Sequence, residues 1–161
     1  MAVLILGENP ALQTRLRNDP KRIPDFLEEV LRYDAPVKVI YRLAQKTTTI
    51  GGVEVPAGTV VTLSLTGASN DPSHFEHPKQ FNIDRSRIRD NLAFSRGVHA
   101  CPGATLARIE SRVAIERLLA RTADIRISEA NHGPKGARRY RFEPTYSFRS
   151  LSDLHIEFEP A

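Results

Sequence analysis

The residues best suited to chemistry lie in one decapeptide, Phe94-Ser95-Arg96-Gly97-Val98-His99-Ala100-Cys101-Pro102-Gly103. Cys101 is the only cysteine, so neither an intramolecular disulfide nor a multi-cysteine zinc or iron–sulfur site is available. The stretch beyond Pro102 has a helical apolar spacing, which predicts the thiol at a helix N-terminus. Partial positive charge and unpaired N–H groups there favour a thiolate. Gly97 and Gly103 let the backbone take positive φ or approach another group closely. Three uses fit this pattern. A flat loop could present a thiolate to a metal; Cys101 could be a nucleophile with His99 as its base; or it could be a buried, inert thiol, the commonest fate of a free cysteine.

A second pairing stands far away in sequence. Glu29 and Arg32 are three residues apart, on one face of a predicted helix, where a carboxylate and a guanidinium form a charge-assisted fork. On a solvated surface such a pair contributes little. Its helix starts near Ile23-Pro24, carries Phe26, Leu27, Val30 and Leu31 on an apolar face, and ends at Asp34-Ala35-Pro36. An earlier helix opens at Asn9-Pro10, an N-cap residue followed by proline at the first helical position, and stops near Asp19-Pro20. From Val37 to Leu65 the texture is that of strands, with turns at Gly51-Gly52 and Pro56-Ala57-Gly58. Residues 67–100 read as one long ordered loop, the kind that usually carries function. A long helix follows from about Pro102, with Leu106, Val113, Ile115, Leu118 and Leu119 as apolar positions. The tail from Arg139 to Glu159 reads as short strands, most clearly at Leu154, Ile156 and Phe158.

Length and composition allow one ordinary globular domain: 161 residues, 40% apolar and 26% charged, without internal repeat. The longest apolar run, Ala2 to Leu6, is far short of the ~18 residues of a membrane helix, and no basic segment precedes it. The sequence therefore reads as cytoplasmic. A net charge of +4 does not by itself argue for nucleic acid.

Phe-x-x-Gly-x-His-x-Cys-x-Gly resembles the haem-ligand signature of the cytochrome P450 family, and Ala107-Arg108 and Glu110 continue the likeness. Glu29-Val30-Leu31-Arg32 is similar to the family's Glu-x-x-Arg helix. Arg42, Ala44 and the two glycine turns resemble its small sheet, and Ala68-Ser69-Asn70-Asp71-Pro72, Phe75, Pro78 and Phe81 its meander. The resemblance implies that Cys101 is the catalytic axial thiolate ligand of haem b, iron protoporphyrin. It implies that Phe94, Gly97 and Gly103 shape the cofactor loop, and that Arg42 and His99 meet the haem propionates. Lys38 and Val39 match one substrate-lining segment and Tyr146-Ser147 a second. In the family the Glu29–Arg32 pair is buried and clamps the meander, with an arginine or histidine just before Phe81 as third member. Gln80 stands there and supplies no charge. Ser95 occupies a position where glycine is often found.

The implied fold is mainly α with small β-sheets (α+β): residues 1–161 form a single partial domain, the C-terminal haem-binding part of the P450 fold. It comprises the Glu-x-x-Arg helix, the meander, the Cys loop and the long helix after it. The implied activity is that of a monooxygenase inserting one oxygen atom from O2 into a small apolar organic substrate. The oxygen-activating helix finds no match, and the chain has no tryptophan for the helix that usually contacts a propionate. The alternative function is therefore a non-catalytic haem-binding or assembly module. An apolar face left uncovered predicts a homo-oligomer or dependence on a missing N-terminal half. Arg85, Arg87, Arg89 and Arg96 against Asp84 and Asp90 predict a basic docking loop for an acidic ferredoxin-type partner.

Overall fold

The computed structural model describes residues 1–161. Asn9 caps α2 (Pro10–Asn18) by accepting the Leu12 amide at 3.1 Å, which separates that helix from the short α1 (Ala2–Glu8). A 3-10 turn at Pro20–Arg22 then leads into α3 (Ile23–Tyr33), which carries Pro24 in its first turn. Phe26, Leu27 and Val30 of α3 pack with Leu6, Leu12 and Leu16 and with Ile83, Ile115, Leu119 and Ile125 as one core. Within it Gln13 is 1% exposed and fully bonded: it donates to the carbonyls of Leu6 and Ile125 and accepts the Ile125 amide.

The strands form three antiparallel two-stranded sheets: β1 (Val39–Leu43) with β4 (Val60–Ser64), β2 (Thr48–Ile50) with β3 (Val53–Val55), and β5 (Thr122–Ile127) with β6 (Ile156–Pro160). Gly51 and Gly52, at φ +56° and +83°, turn the second hairpin as their sequence predicts. The strand texture expected to run to Leu65 ends at Ser64, because the Ser64 hydroxyl accepts the Gly67 amide and starts α4 (Leu65–Ser69), which runs into the expected loop. The long helix α5 spans Ala104–Arg121, of which only Ile115 and Leu119 are buried. Leu106 and Val113, expected on its inner face, are 60% and 43% exposed. The chain passes directly from α5 into β5 and then α6 (Glu129–His132), two elements that periodicity does not reveal. Its tail is mostly irregular: besides β6 it makes isolated bridges, Val37 to Phe148 and Phe142 to Leu151. No helix is long and apolar enough to cross a membrane.

Candidate functional site

Between α3, β1, the 93–101 loop and α5 lies a cavity of about 690 Å³, within the usual range of small-molecule sites. Its walls are largely apolar, including Leu27, Val30, Val37, Ile40, Leu65, Ala93 and Phe94, and α5 turns the small residues Ala107, Ser111 and Ala114 towards it. Four chemically active side chains reach it: Cys101, His99, Arg42 and Arg108.

Cys101 is exposed, so the buried, inert thiol is ruled out. No hydrogen bond joins the thiol to His99, the contact through which a base activates a nucleophile. Cys101 lies just ahead of α5. Its amide donates to the Phe94 carbonyl at 2.9 Å, and its carbonyl accepts the Ala104 amide at 3.2 Å. The loop is closed at both ends on the cysteine.

The loop's glycines behave differently. Gly97 takes φ +73°, where a side chain would be strained. Gly103 lies at an ordinary φ of −84°, and a Cβ there would meet Cys101 Sγ at 3.8 Å, normal contact. Packing within the chain does not require a glycine at 103. Ser95 sits at φ +59°, left-handed backbone that a glycine would accept without strain.

Arg42 donates only to the neighbouring Tyr41 carbonyl, and His99 is exposed without a hydrogen-bond partner. Two polar groups able to face carboxylates therefore stand at the cavity uncommitted to any acid of this chain. A soft thiol, an apolar slot and uncommitted polar donors are the set that an iron porphyrin with carboxylate arms requires, and these residues fit haem.

Lys38, Val39, Tyr146 and Ser147 lie off this cavity wall. Lys38 is occupied with the tail: its amide donates to the Ser147 carbonyl at 2.8 Å and its Nζ to the Thr145 carbonyl at 3.0 Å. Tyr41 and Ser147 share a hydroxyl hydrogen bond of 3.2 Å, and Tyr146 is 71% exposed. Val37 and Ile40, on either side of the expected pair, are the residues that face inwards.

Behind the cavity, Glu29 and Arg32 are both 0% exposed. Arg32 donates from Nε to Glu29 Oε2 at 2.7 Å and from Nη2 to Oε1 at 2.8 Å. Its remaining donors reach the carbonyls of Ser69, Pro78 and Gln80 at 3.0–3.3 Å. Gln80 contributes only that main-chain oxygen. The second cation is Arg85, 7% exposed, with Nε 3.4 Å from Glu29 Oε1. It also donates to the carbonyls of Glu76, His77 and Gln80. The third member of the charge cluster thus comes from five residues beyond the expected position, and it removes Arg85 from the proposed docking loop.

That loop is corrected elsewhere as well. Asp84 belongs to α2 and the turn after it: Arg15 grips it at 2.6 and 2.7 Å, Arg22 at 2.6 Å, and the Arg15 hydrogen bonds hold its carboxyl below the usual range. Asp90 accepts from Arg87 at 2.9 Å and lies 3.2 Å from His74 and 3.7 Å from Arg96; the Arg87 hydrogen bond is the main cause of its lowered pKa. Arg89, Arg108 and Arg112 line one shallow cleft beside Pro24 and Ile109.

The model for Cytochrome P450 matches residues 1–122. Cytochrome P450 144 of Mycobacterium tuberculosis is 38% identical over 128 residues, covering 80% of this chain and 30% of that protein. The biotin biosynthesis cytochrome P450 of Bacillus subtilis is 35% identical over 158 residues, 98% of this chain and 38% of the relative. This chain therefore spans about a third of the length of these curated relatives. Among solved structures, Mycobacterium marinum cytochrome P450 CYP150A6 in its substrate-free form overlays with a TM-score of 0.97 at 52% identity, over 99% of this chain and 39% of that one. P450BioI, solved in complex with hexadec-9Z-enoic acid ligated acyl carrier protein, overlays with a TM-score of 0.88 at 36% identity, over 98% of this chain and 39% of its own. From a family model that accounts for three quarters of the chain, and an overlay that takes in nearly all of it, it follows that this chain belongs to the cytochrome P450 family.

Proposed function

We propose that residues 1–161 are the haem-thiolate-binding portion of a cytochrome P450 monooxygenase that acts on a small apolar organic substrate. The observation that carries this reading is the exposed lone thiol of Cys101 in an apolar cavity that Arg42 and His99 also line. In it Cys101 Sγ, as thiolate, ligates the iron of haem b, while Arg42 and His99 pair with its propionates. When bound, the haem supplies the activation of O2 from which one oxygen atom is inserted into substrate. The chain's own residues bind and orient. Phe94 and the small residues of α5 would flank the flat group, and the apolar wall of α3 and β1 would keep water from it.

Electrons arrive from an acidic ferredoxin-type partner at the loop carrying Arg87, Arg89 and Arg96, where complementary charge speeds encounter. Leu106, Ile109 and Val113, exposed along α5, form the apolar face for association with a second copy or with further P450 helices. Sedimentation tests this: a clean monomer in haem-free solution contradicts it. The main test is spectroscopic. The purified chain with added haem, reduced under carbon monoxide, should give a thiolate-type Soret band that Cys101→Ala and Cys101→His both abolish. Retention of that band in either variant overturns the ligand assignment.

A further inference from the structure

We propose that Glu28 is the positioning residue of the Cys101 loop, acting through Arg108 and Asn91, and that its neighbour Glu29 does the separate work of holding the meander. The two carboxylates are adjacent on α3, so they point about 100° apart around the helix. Both are buried, at 3% and 0% exposure, where an unpaired carboxylate is not tolerated. Each has its own cations and its own segment.

Glu28 is bonded on both flanks of the cysteine loop. From the α5 side, Arg108 donates through Nε to Oε1 at 2.5 Å and through Nη2 to Oε2 at 3.4 Å. From the entry side, Asn91 Nδ2 donates to Oε2 at 3.0 Å and to the Ile88 carbonyl at 2.9 Å, while Asn91 Oδ1 accepts the Ala93 amide at 3.2 Å. One carboxylate thus ties residues 91–93 to the first turns of α5, and Cys101 lies in the span between.

Arg108 links this clamp to the cysteine. Its guanidinium carbon lies 4.7 Å from the Phe94 ring centroid, a cation–π contact, and the Phe94 carbonyl accepts the Cys101 amide at 2.9 Å. The connection therefore runs from the Glu28 carboxylate to the Arg108 guanidinium, the Phe94 ring, the Phe94 carbonyl and the Cys101 N–H. A guanidinium is needed at 108, because it meets both Glu28 oxygens and the Phe94 ring face at once, which a compact ammonium cannot.

The inference rests on the ligand reading of Cys101 for its meaning, but its first test needs no cofactor. Amide hydrogen exchange in the haem-free chain reports the Cys101 N–H held by Phe94 and the Asn82 N–H held by Glu29 at 2.9 Å. Glu28→Gln and Arg108→Lys should each speed exchange at Cys101 by about tenfold and leave Asn82 unchanged. Glu29→Gln should do the reverse. Equal acceleration at both amides, or none at Cys101, overturns the division of labour. Arg108→Lys keeps a charge for Glu28 and remains informative should Glu28→Gln fold poorly. With haem added, both clamp variants should displace the reduced carbon-monoxide Soret band; accelerated exchange with an unaltered band overturns the link to the ligand. A wild-type chain without any thiolate-type band removes the ligand assignment alone, and the exchange result stands.

Discussion

Glu29→Ala tests whether the buried charge cluster holds this part of the fold together. The carboxylate accepts two hydrogen bonds from Arg32, one from the Asn82 amide and a longer one from Arg85. Truncation leaves the Arg32 guanidinium, itself 0% exposed, with only main-chain and amide oxygens for its charge. Removing one partner of such a pair costs about 3–5 kcal/mol, whereas a solvated pair contributes ~0–1 kcal/mol. Against a typical total of about 5–15 kcal/mol, that is a large share of the stability. At roughly 2–4 °C per kcal/mol for a chain of this size, the melting temperature should fall by about 6–20 °C. The chain has no tryptophan, so far-UV circular dichroism in urea is the suitable assay. A loss within the surface range, about 1 kcal/mol or less with m unchanged, would refute the reasoning, because the burial of both partners could not then carry its expected cost.

The same clamp makes a comparison of two meander residues informative: Arg85→Ala removes a donor from three carbonyls, leaving that of Glu76 without its partner, and takes away the second cation beside Glu29, so it should destabilise by about 1–3 kcal/mol, while Gln80→Ala, which loses no side-chain hydrogen bond, should stay within about 0.5 kcal/mol. Equal losses in urea titrations would return the third position of the cluster to Gln80. Ser95→Gly relieves a φ of +59° and should raise stability by about 1 kcal/mol; a lower melting temperature would show that the serine side chain compensates for its backbone. Burial first, and then its hydrogen bond to Glu8, push Tyr140 up to about 12. Folded Tyr140 holds its proton more tightly than the free phenol, whose pKa is ~10. Its contribution is whole below pH ~10 and is lost as the pH rises towards about 12. The alkaline absorbance titration should therefore contain a late phenolate component that Tyr140→Phe removes, and persistence of that component in the variant excludes Tyr140 as its source.

Elements written in local chemistry were legible from the residues alone. Asn9-Pro10 starts α2, Ile23-Pro24 and an apolar stripe make α3, and Gly51-Gly52 turns a hairpin, because caps, proline and positive-φ glycines act within a few residues. The cysteine loop was legible for the same reason, its thiol, histidine and glycines being contiguous in the chain. The family followed from that loop and from the order of the other segments.

Other features depend on which distant residues come together. β5 begins at the last turn of α5 with no punctuating glycine or proline, and its pairing with β6 joins residues from Ile127 and Ile156 to Thr122 and Pro160, far apart in the chain. Leu106 and Val113 have the spacing of a buried helix face, yet no part of this chain packs over them, since periodicity gives a direction around the helix and not the presence of a neighbour. Glu29 is answered by Arg85 instead of a residue at position 80, because the meander's path brings a more distant guanidinium to the carboxylate. Glu28 looks in sequence like one more acid in an early helical turn. Only the packing of α3 against α5 brings Arg108 and Asn91 to it, and with them the hold on the Cys101 loop.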